Sequence, residues 1–168
     1  SCRIIPDLDN GAFSFAPVFH AIEPGDLLQI GVWAGNKLAA SGKIHPSPGA
    51  TISLPLEVLE TWSPDTPFLY DIRFQVTAAS GAEIDYVESY AGMRKISIAG
   101  DRIFLNNQPL YQRLVLDQGF YPDGLWTAPS DAALKKDIEL SMEAGFNGAR
   151  LHQKVFEERF HYWADRLG

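Results

Sequence analysis

Four polar side chains stand at the ends of two short apolar runs in the last third of the sequence. Asp117 and Gln118 follow Leu114-Val115-Leu116, while Arg150 and His152 flank Leu151. A carboxylate, a carboxamide, a guanidinium and an imidazole can together hold a polar ligand. Lys154 and Arg113, in the same two stretches, complete the candidate set. Each residue alone has an equally good structural reading, because charged groups near buried strands need partners whether or not they bind anything. Arg150 could be an ion-pair residue, His152 a half-buried imidazole and Asp117 a loop cap. Four at corresponding positions are harder to reduce to that reading and point to a ligand site.

The elements that must position them read as alternating strand and helix. Tyr111 to Gly119 predicts a short buried strand, and Phe120 to Pro129 a long loop. Ser130 is placed to cap a helix whose Leu134, Ile138 and Met142 share one face, with Gly145 where a C-terminus needs positive φ. Phe146 to His152 predicts a second strand, followed by a helix that carries Phe156, Phe160, Trp163, Ala164 and Leu167 on one side and stops at Gly168. Two consecutive strand–helix units imply parallel strands, and in parallel sheets ligands gather at the carboxyl ends. Glu157 and Glu158 read as solvated helix residues.

Upstream the period is two. Phe13, Phe15 and Phe19 alternate, as do Leu28, Ile30 and Val32, with turn chemistry at Glu23-Pro24-Gly25-Asp26 between two antiparallel strands. A short middle strand, another at Thr51 to Leu56, the clean alternation of Tyr70, Ile72, Phe74 and Val76, a turn at Ser80-Gly81 and a return from Ile84 to Tyr90 predict a β-sandwich of about seven strands. Pro17 and Pro55 suit edge strands or bulges. Ile96-Ser97-Ile98 and Ile103-Phe104-Leu105 flank a hairpin turn, and Asn106-Asn107 starts another. Trp62 reads as a packed corner, and His20, His45 and His161 as surface imidazoles.

Bulk properties narrow the partners. In 168 residues, 46% are hydrophobic and 21% charged, so the chain can bury a core; a formal net charge of −7 argues against nucleic acid or an anionic membrane as partner. The single cysteine, Cys2, makes no internal disulfide and no metal cluster. No targeting or membrane-spanning segment is visible, and no compartment is indicated. A start at Ser1 without an initiator Met reads as a piece of a longer protein.

Leu116-Asp117-Gln118-Gly119-Phe120-Tyr121-Pro122-Asp123-Gly124-Leu125, then Gly145-Phe146-Asn147-Gly148-Ala149-Arg150-Leu151-His152-Gln153-Lys154, then Tyr162-Trp163-Ala164-Asp165-Arg166-Leu167-Gly168 resemble the start of the catalytic barrel of glycoside hydrolase family 2, which holds β-galactosidases, β-glucuronidases and β-mannosidases. Trp62 to Tyr70 and Tyr90-Ala91-Gly92-Met93-Arg94 are similar to the ends of the immunoglobulin-like domain before that barrel. The resemblance implies a multidomain β plus α/β chain: an immunoglobulin-like β-sandwich over residues 1–94, then, over 95–168, a hairpin and the first two βα units of a (β/α)8 TIM barrel.

It also implies a retaining glycosidase acting on terminal β-linked sugars without cofactor or metal. Such enzymes use two carboxylates about 5–5.5 Å apart, and in the family both are glutamates on later strands, beyond Gly168. Within this chain the resemblance gives Arg150 the contact to the nucleophile, and Asp117, Gln118, His152, Lys154 and Arg113 positioning or substrate-binding roles. The expected partners are a carbohydrate and the remainder of the barrel. Departures touch the substrate side: Arg113-Leu114-Val115-Leu116-Asp117-Gln118 stands where Arg-Gly-Val-Asn-Arg-His is frequent, Arg150-Leu151-His152 where Arg-x-Ser-His is usual, and Ala91 where an aromatic is common. The sugar is therefore left open. A second class also fits, a non-catalytic carbohydrate-binding or scaffolding module.

Overall fold

The computed structural model describes all residues from Ser1 to Gly168. Two compact units are present, one made of Ser1–Trp62 with Phe68–Ile96, the other of Ser63–Pro67 with Ser97–Gly168.

The first unit has seven strands in two antiparallel sheets. Strands β1 (Cys2–Asp7), β2 (Ala12–Pro17) and β5 (Ile52–Pro55) form one, in the order β1-β2-β5. Strands β3 (Leu27–Ala34), β4 (Lys37–Ile44), β6 (Tyr70–Thr77) and β7 (Glu83–Ala91) form the other, in the order β4-β3-β6-β7. Period-two alternation gives β2, β3, β5 and β6 one apolar face each, and these faces meet in a core of Phe13, Phe15, Leu54, Ile30, Val32, Ile72, Phe74 and Tyr70. Edge-to-face ring pairs Phe13–Tyr70 and Phe15–Phe74, with centroids 5.4 and 5.9 Å apart, cross from one sheet to the other. Each such ring contributes about 1.5–3 kcal/mol by leaving water. The Tyr70 hydroxyl accepts from Glu60 N at 2.6 Å and donates to Val58 O at 2.9 Å, so its burial leaves no orphaned polar atom.

Pairing differs from the expectation at three points. The Phe13 and Leu28 strands are not partners; they lie in opposite sheets, because each finds a better neighbour elsewhere, β2 beside β1 and β3 beside β6. The strand Cys2–Asp7 carries no clean alternation and went unpredicted. Pro17 ends the central strand of its sheet rather than an edge strand, at the last register position opposite Cys2, whereas Pro55 does end an edge strand. Trp62 is the packed corner expected, buried with the Arg94 guanidinium 4.7 Å above its ring.

The second unit opens with the antiparallel strands β8 (Ile96–Ala99), β9 (Arg102–Leu105) and β10 (Gln108–Pro109). Asn106 and Asn107, at φ 51° and 64°, make the left-handed turn between the last two. Then β11 (Leu114–Asp117) pairs in parallel with β12 (Gly148–Leu151), Leu116 opposite Arg150 and Asp117 opposite Leu151. Helix α1 (Asp131–Glu143) connects them, and α2 (Glu158–Leu167) follows.

Local chemistry sets these boundaries. Ser130 Oγ accepts from Ala133 N at 3.2 Å at the start of α1, and Gly145 at φ 87° lets Phe146 N reach back to Ser141 O at its end. Asp131 ties the helices together, taking Arg159 Nε at 2.8 Å, Arg159 Nη2 at 3.0 Å and Trp163 Nε1 at 3.0 Å. Asn147 locks the entry to the parallel pair, its Oδ1 accepting from Arg113 N and its Nδ2 donating to Tyr111 O. Tyr121, Leu134, Phe156 and Phe160 form the core, with Ile138, Leu151 and Trp163 packed on it.

The strand expected to be buried is covered on one face alone. Leu151 packs on the helices, so strand alternation puts Val115 and Asp117 on the helix side and Leu114, Leu116 and Arg150 on the other. Leu114 is 40% and Leu116 56% exposed. Phe156 precedes α2 rather than lying on it.

Candidate functional site

The carboxyl ends of β11 and β12 meet where His152 N donates to Asp117 O at 2.8 Å, one step past the last strand pair. Beyond that bond the chain turns sharply on both sides: Gly119 adopts φ 58° and Gln153 φ 64°. A left-handed glutamine is strained, and such strain persists only where surroundings enforce it. Here Gln153 Oε1 accepts from Gln118 Nε2 at 3.1 Å, and the same nitrogen lies 3.3 Å from His152 Nδ1. Donation to Nδ1 leaves the imidazole proton on Nε2. Gln118, His152 and Gln153 are therefore one cluster of donors and acceptors at the strand ends. Gln153 was missed in the sequence, where nothing but its place beside His152 marks it.

The other candidates lie elsewhere. Asp117 is on the helix side of the sheet, and its Oδ1 accepts from Gly119 N at 2.7 Å, so it shapes the turn. Arg150 is exposed on the opposite face, level with Leu116. Arg113 is at the amino end of β11, its Nε on Gly145 O at 2.9 Å, so it braces the far end of the strands and is not brought together with the others. The Lys154 side chain is only 7% exposed. Its Nζ donates to Trp126 O at 2.7 Å and Gly119 O at 3.2 Å.

Glu157 is not a solvated helix residue. It caps the start of α2, half-buried, with Oε1 taking Ala128 N at 3.4 Å and Oε2 facing Lys154 Nζ at 3.6 Å, an ion pair too long for a hydrogen bond. Its own backbone N–H, Ala128 N–H and the Lys154 charge hold its carboxyl below the ordinary 4.5 against the opposing effect of burial. Glu158 is exposed, as expected. Beneath the loop, the Tyr121 hydroxyl donates to Asp137 Oδ2 at 2.5 Å; burial first, then the Asp137 carboxylate, push the phenol far above its ordinary value. The small cavity between sheet and helices, about 70 Å³, is lined mainly by Ile138, Met142, Phe146, Ala149 and Phe160 and is no sugar pocket.

Residues 29–94 match the family described as Glycosyl hydrolases family 2. A β-galactosidase of Leuconostoc mesenteroides subsp. mesenteroides is 30% identical over 125 residues, covering 70% of this chain and 11% of that protein. One from Vibrio cholerae serotype O1 is 30% identical over 107 residues, 64% of this chain and 10% of its own length. The chain thus spans about a tenth of these relatives. Among solved structures, an FMN-binding β-glucuronidase from Facaelibacterium prausnitzii L2-6 superposes with TM-score 0.85 at 20% identity, over 99% of this chain and 26% of that one. A β-glycosidase from Bacteroides vulgatus does so with TM-score 0.84 at 19% identity, over 99% and 22%. The mostly-β fold is that found within β-glycosidases. The family match over residues 29–94 and the β-galactosidase relatives support a place for this chain in glycoside hydrolase family 2.

Proposed function

We propose that the 168 residues are part of a longer retaining glycoside hydrolase that cleaves terminal β-linked sugars. In this reading residues 1–94 are an immunoglobulin-like β-sandwich, and 95–168 are the hairpin and first two βα units of a (β/α)8 barrel. The observation that carries it is the parallel pairing of Leu114–Asp117 with Gly148–Leu151, with Gln118, His152 and Gln153 clustered at the carboxyl ends.

The division of labour follows from the faces of the strands. Closing a barrel would turn the side bearing Leu114, Leu116 and Arg150 inward, so Arg150 would reach the interior, where a guanidinium keeps a nucleophilic carboxylate ionised and aligned. Gln118, His152 and Gln153 would orient sugar hydroxyls at the rim, and Asp117 would act through Gly119. The acid/base and nucleophilic glutamates would come from later strands, and no organic cofactor is needed for this chemistry.

The test is an assay on aryl β-glycosides of galactose, glucuronic acid, mannose and glucose. Arg150→Ala in the longer enzyme should lower turnover by roughly a hundredfold or more, about 2.7 kcal/mol of transition-state stabilisation, and residues 1–168 alone should give none. A fully active Arg150→Ala enzyme, or hydrolysis by the chain alone, would put the chemistry elsewhere. A longer chain without two strand-end glutamates would favour a non-catalytic carbohydrate-binding module.

A further inference from the structure

Lys154 is an unusual lysine for a strand-end loop. Val155 beside it is 95% exposed, yet the Lys154 side chain is 7% exposed. Two of its three N–H donors go to the carbonyls of Gly119 and Trp126, its charge faces Glu157, and its ammonium stands 4.6 Å from the centre of the Phe156 ring. Little capacity remains for a sugar hydroxyl. Its acceptors belong to the loop after β11, while its own backbone belongs to the loop after β12. Glu157, on the Lys154 side, takes Ala128 N from the first loop, so the tie is doubled.

The tie also sits between Gly119 and Gln153, two of the three left-handed residues of these loops; the third, Leu125 at φ 54°, precedes the Trp126 carbonyl that Lys154 holds. Gly119 must lack a Cβ, which would stand 2.7 Å from Lys154 Nζ and 3.0 Å from the Phe156 ring. Gln153 directly precedes Lys154, so burial of the lysine draws the chain into the turn that Gln153 must make. We propose that Lys154 is a positioning residue that clamps the two loops together and, through Gly119 and Gln153, sets the placement of Gln118 and His152 without touching the sugar. It rests on the glycosidase reading only for what those side chains serve.

Amide exchange followed by NMR on the full 168-residue chain tests the clamp. Lys154→Met should speed exchange at Tyr121, Leu125, Thr127 and Ala128 by about tenfold or more, the loss of a charge-assisted bond, while amides inside α1 and α2 change little. Uniform acceleration through the helices would mean a general packing role and overturn the proposal. In a Gln153→Gly background, which removes the left-handed penalty, Lys154→Met should have a clearly smaller effect; simple additivity would overturn the link to Gln153. Should Lys154→Met not fold, Glu157→Gln should give the same local pattern at lower amplitude, and unchanged exchange there would overturn the clamp. In the longer enzyme, Lys154→Met should raise KM for aryl β-glycosides more than it lowers kcat; equal losses in kcat and kcat/KM would mark a direct transition-state contact instead. An inactive wild-type enzyme would fail the glycosidase reading and leave the exchange result standing.

Discussion

A phenol pressed onto a carboxylate makes Tyr121 the most strongly perturbed titrating group of the second unit. Because the folded chain holds that proton more tightly than the unfolded one, its contribution is complete below about pH 10 and lost as the pH rises beyond. Tyr121→Phe should cost about 1–3 kcal/mol at neutral pH, by leaving Asp137 without its donor, and should lose less than wild type on going alkaline. Urea unfolding across that range checks both. Asp131 behaves with the opposite sign: hydrogen bonding to Arg159, then Trp163 and the Arg159 charge, hold its carboxyl below 3.8, so its stabilisation is present above that value and lost on acidification through the folded pKa. Asp131→Asn should flatten the acid limb of the stability curve. At this scale sequence reading was weakest. Glu157 looks like a surface helix residue, and only the fold turns it toward Lys154 and Ala128.

Among the elements, boundaries were legible where one residue supplies the chemistry. Ser130 and Gly145 mark the ends of α1 because capping and left-handed closure act within a few residues. Ser130→Ala should therefore cost about 1 kcal/mol, measurable as a shift in thermal or urea midpoint. Strand partners were legible across short turns, as at Ser80-Gly81 between β6 and β7, but not over longer spans: alternation in Phe13–Phe15 and Leu28–Val32 names the inward face of each strand and carries no information about which neighbour it joins. The parallel pair was inferred from the helix between its strands, since such a crossover demands it. Asn147, which stitches that pair at its amino end, gave no signal of that role. Asn147→Ala should destabilise β11 and β12 by about 1 kcal/mol, through two hydrogen bonds exchanged for bonds to water, with faster exchange at Arg113.

For the molecule as a whole, each unit carries its own core, and the two cores are covered very differently. β3 and β6 lie inside a four-stranded sheet with a face packed on aromatic side chains, whereas β11 and β12 form a sheet of two strands with one face open. Amides of Leu114–Asp117 and Gly148–Leu151 should exchange faster than those of Leu27–Ala34 and Tyr70–Thr77, and equal protection would mean that the open face is covered in solution. That opening has a chemical record. Asn147 is followed by Gly148, the neighbour that least hinders attack by the next backbone nitrogen on the side-chain amide, which expels ammonia and closes a succinimide that water then opens to aspartate or isoaspartate. While the strands are closed, both ends of that amide are engaged by Arg113 and Tyr111. Once converted, the side chain would set a carboxylate oxygen against the Tyr111 carbonyl, and the bridge could not re-form as before. The isoaspartate content at position 147 of an ageing sample, read by peptide mapping apart from that of Asn10-Gly11, would therefore report how often the parallel pair has come apart.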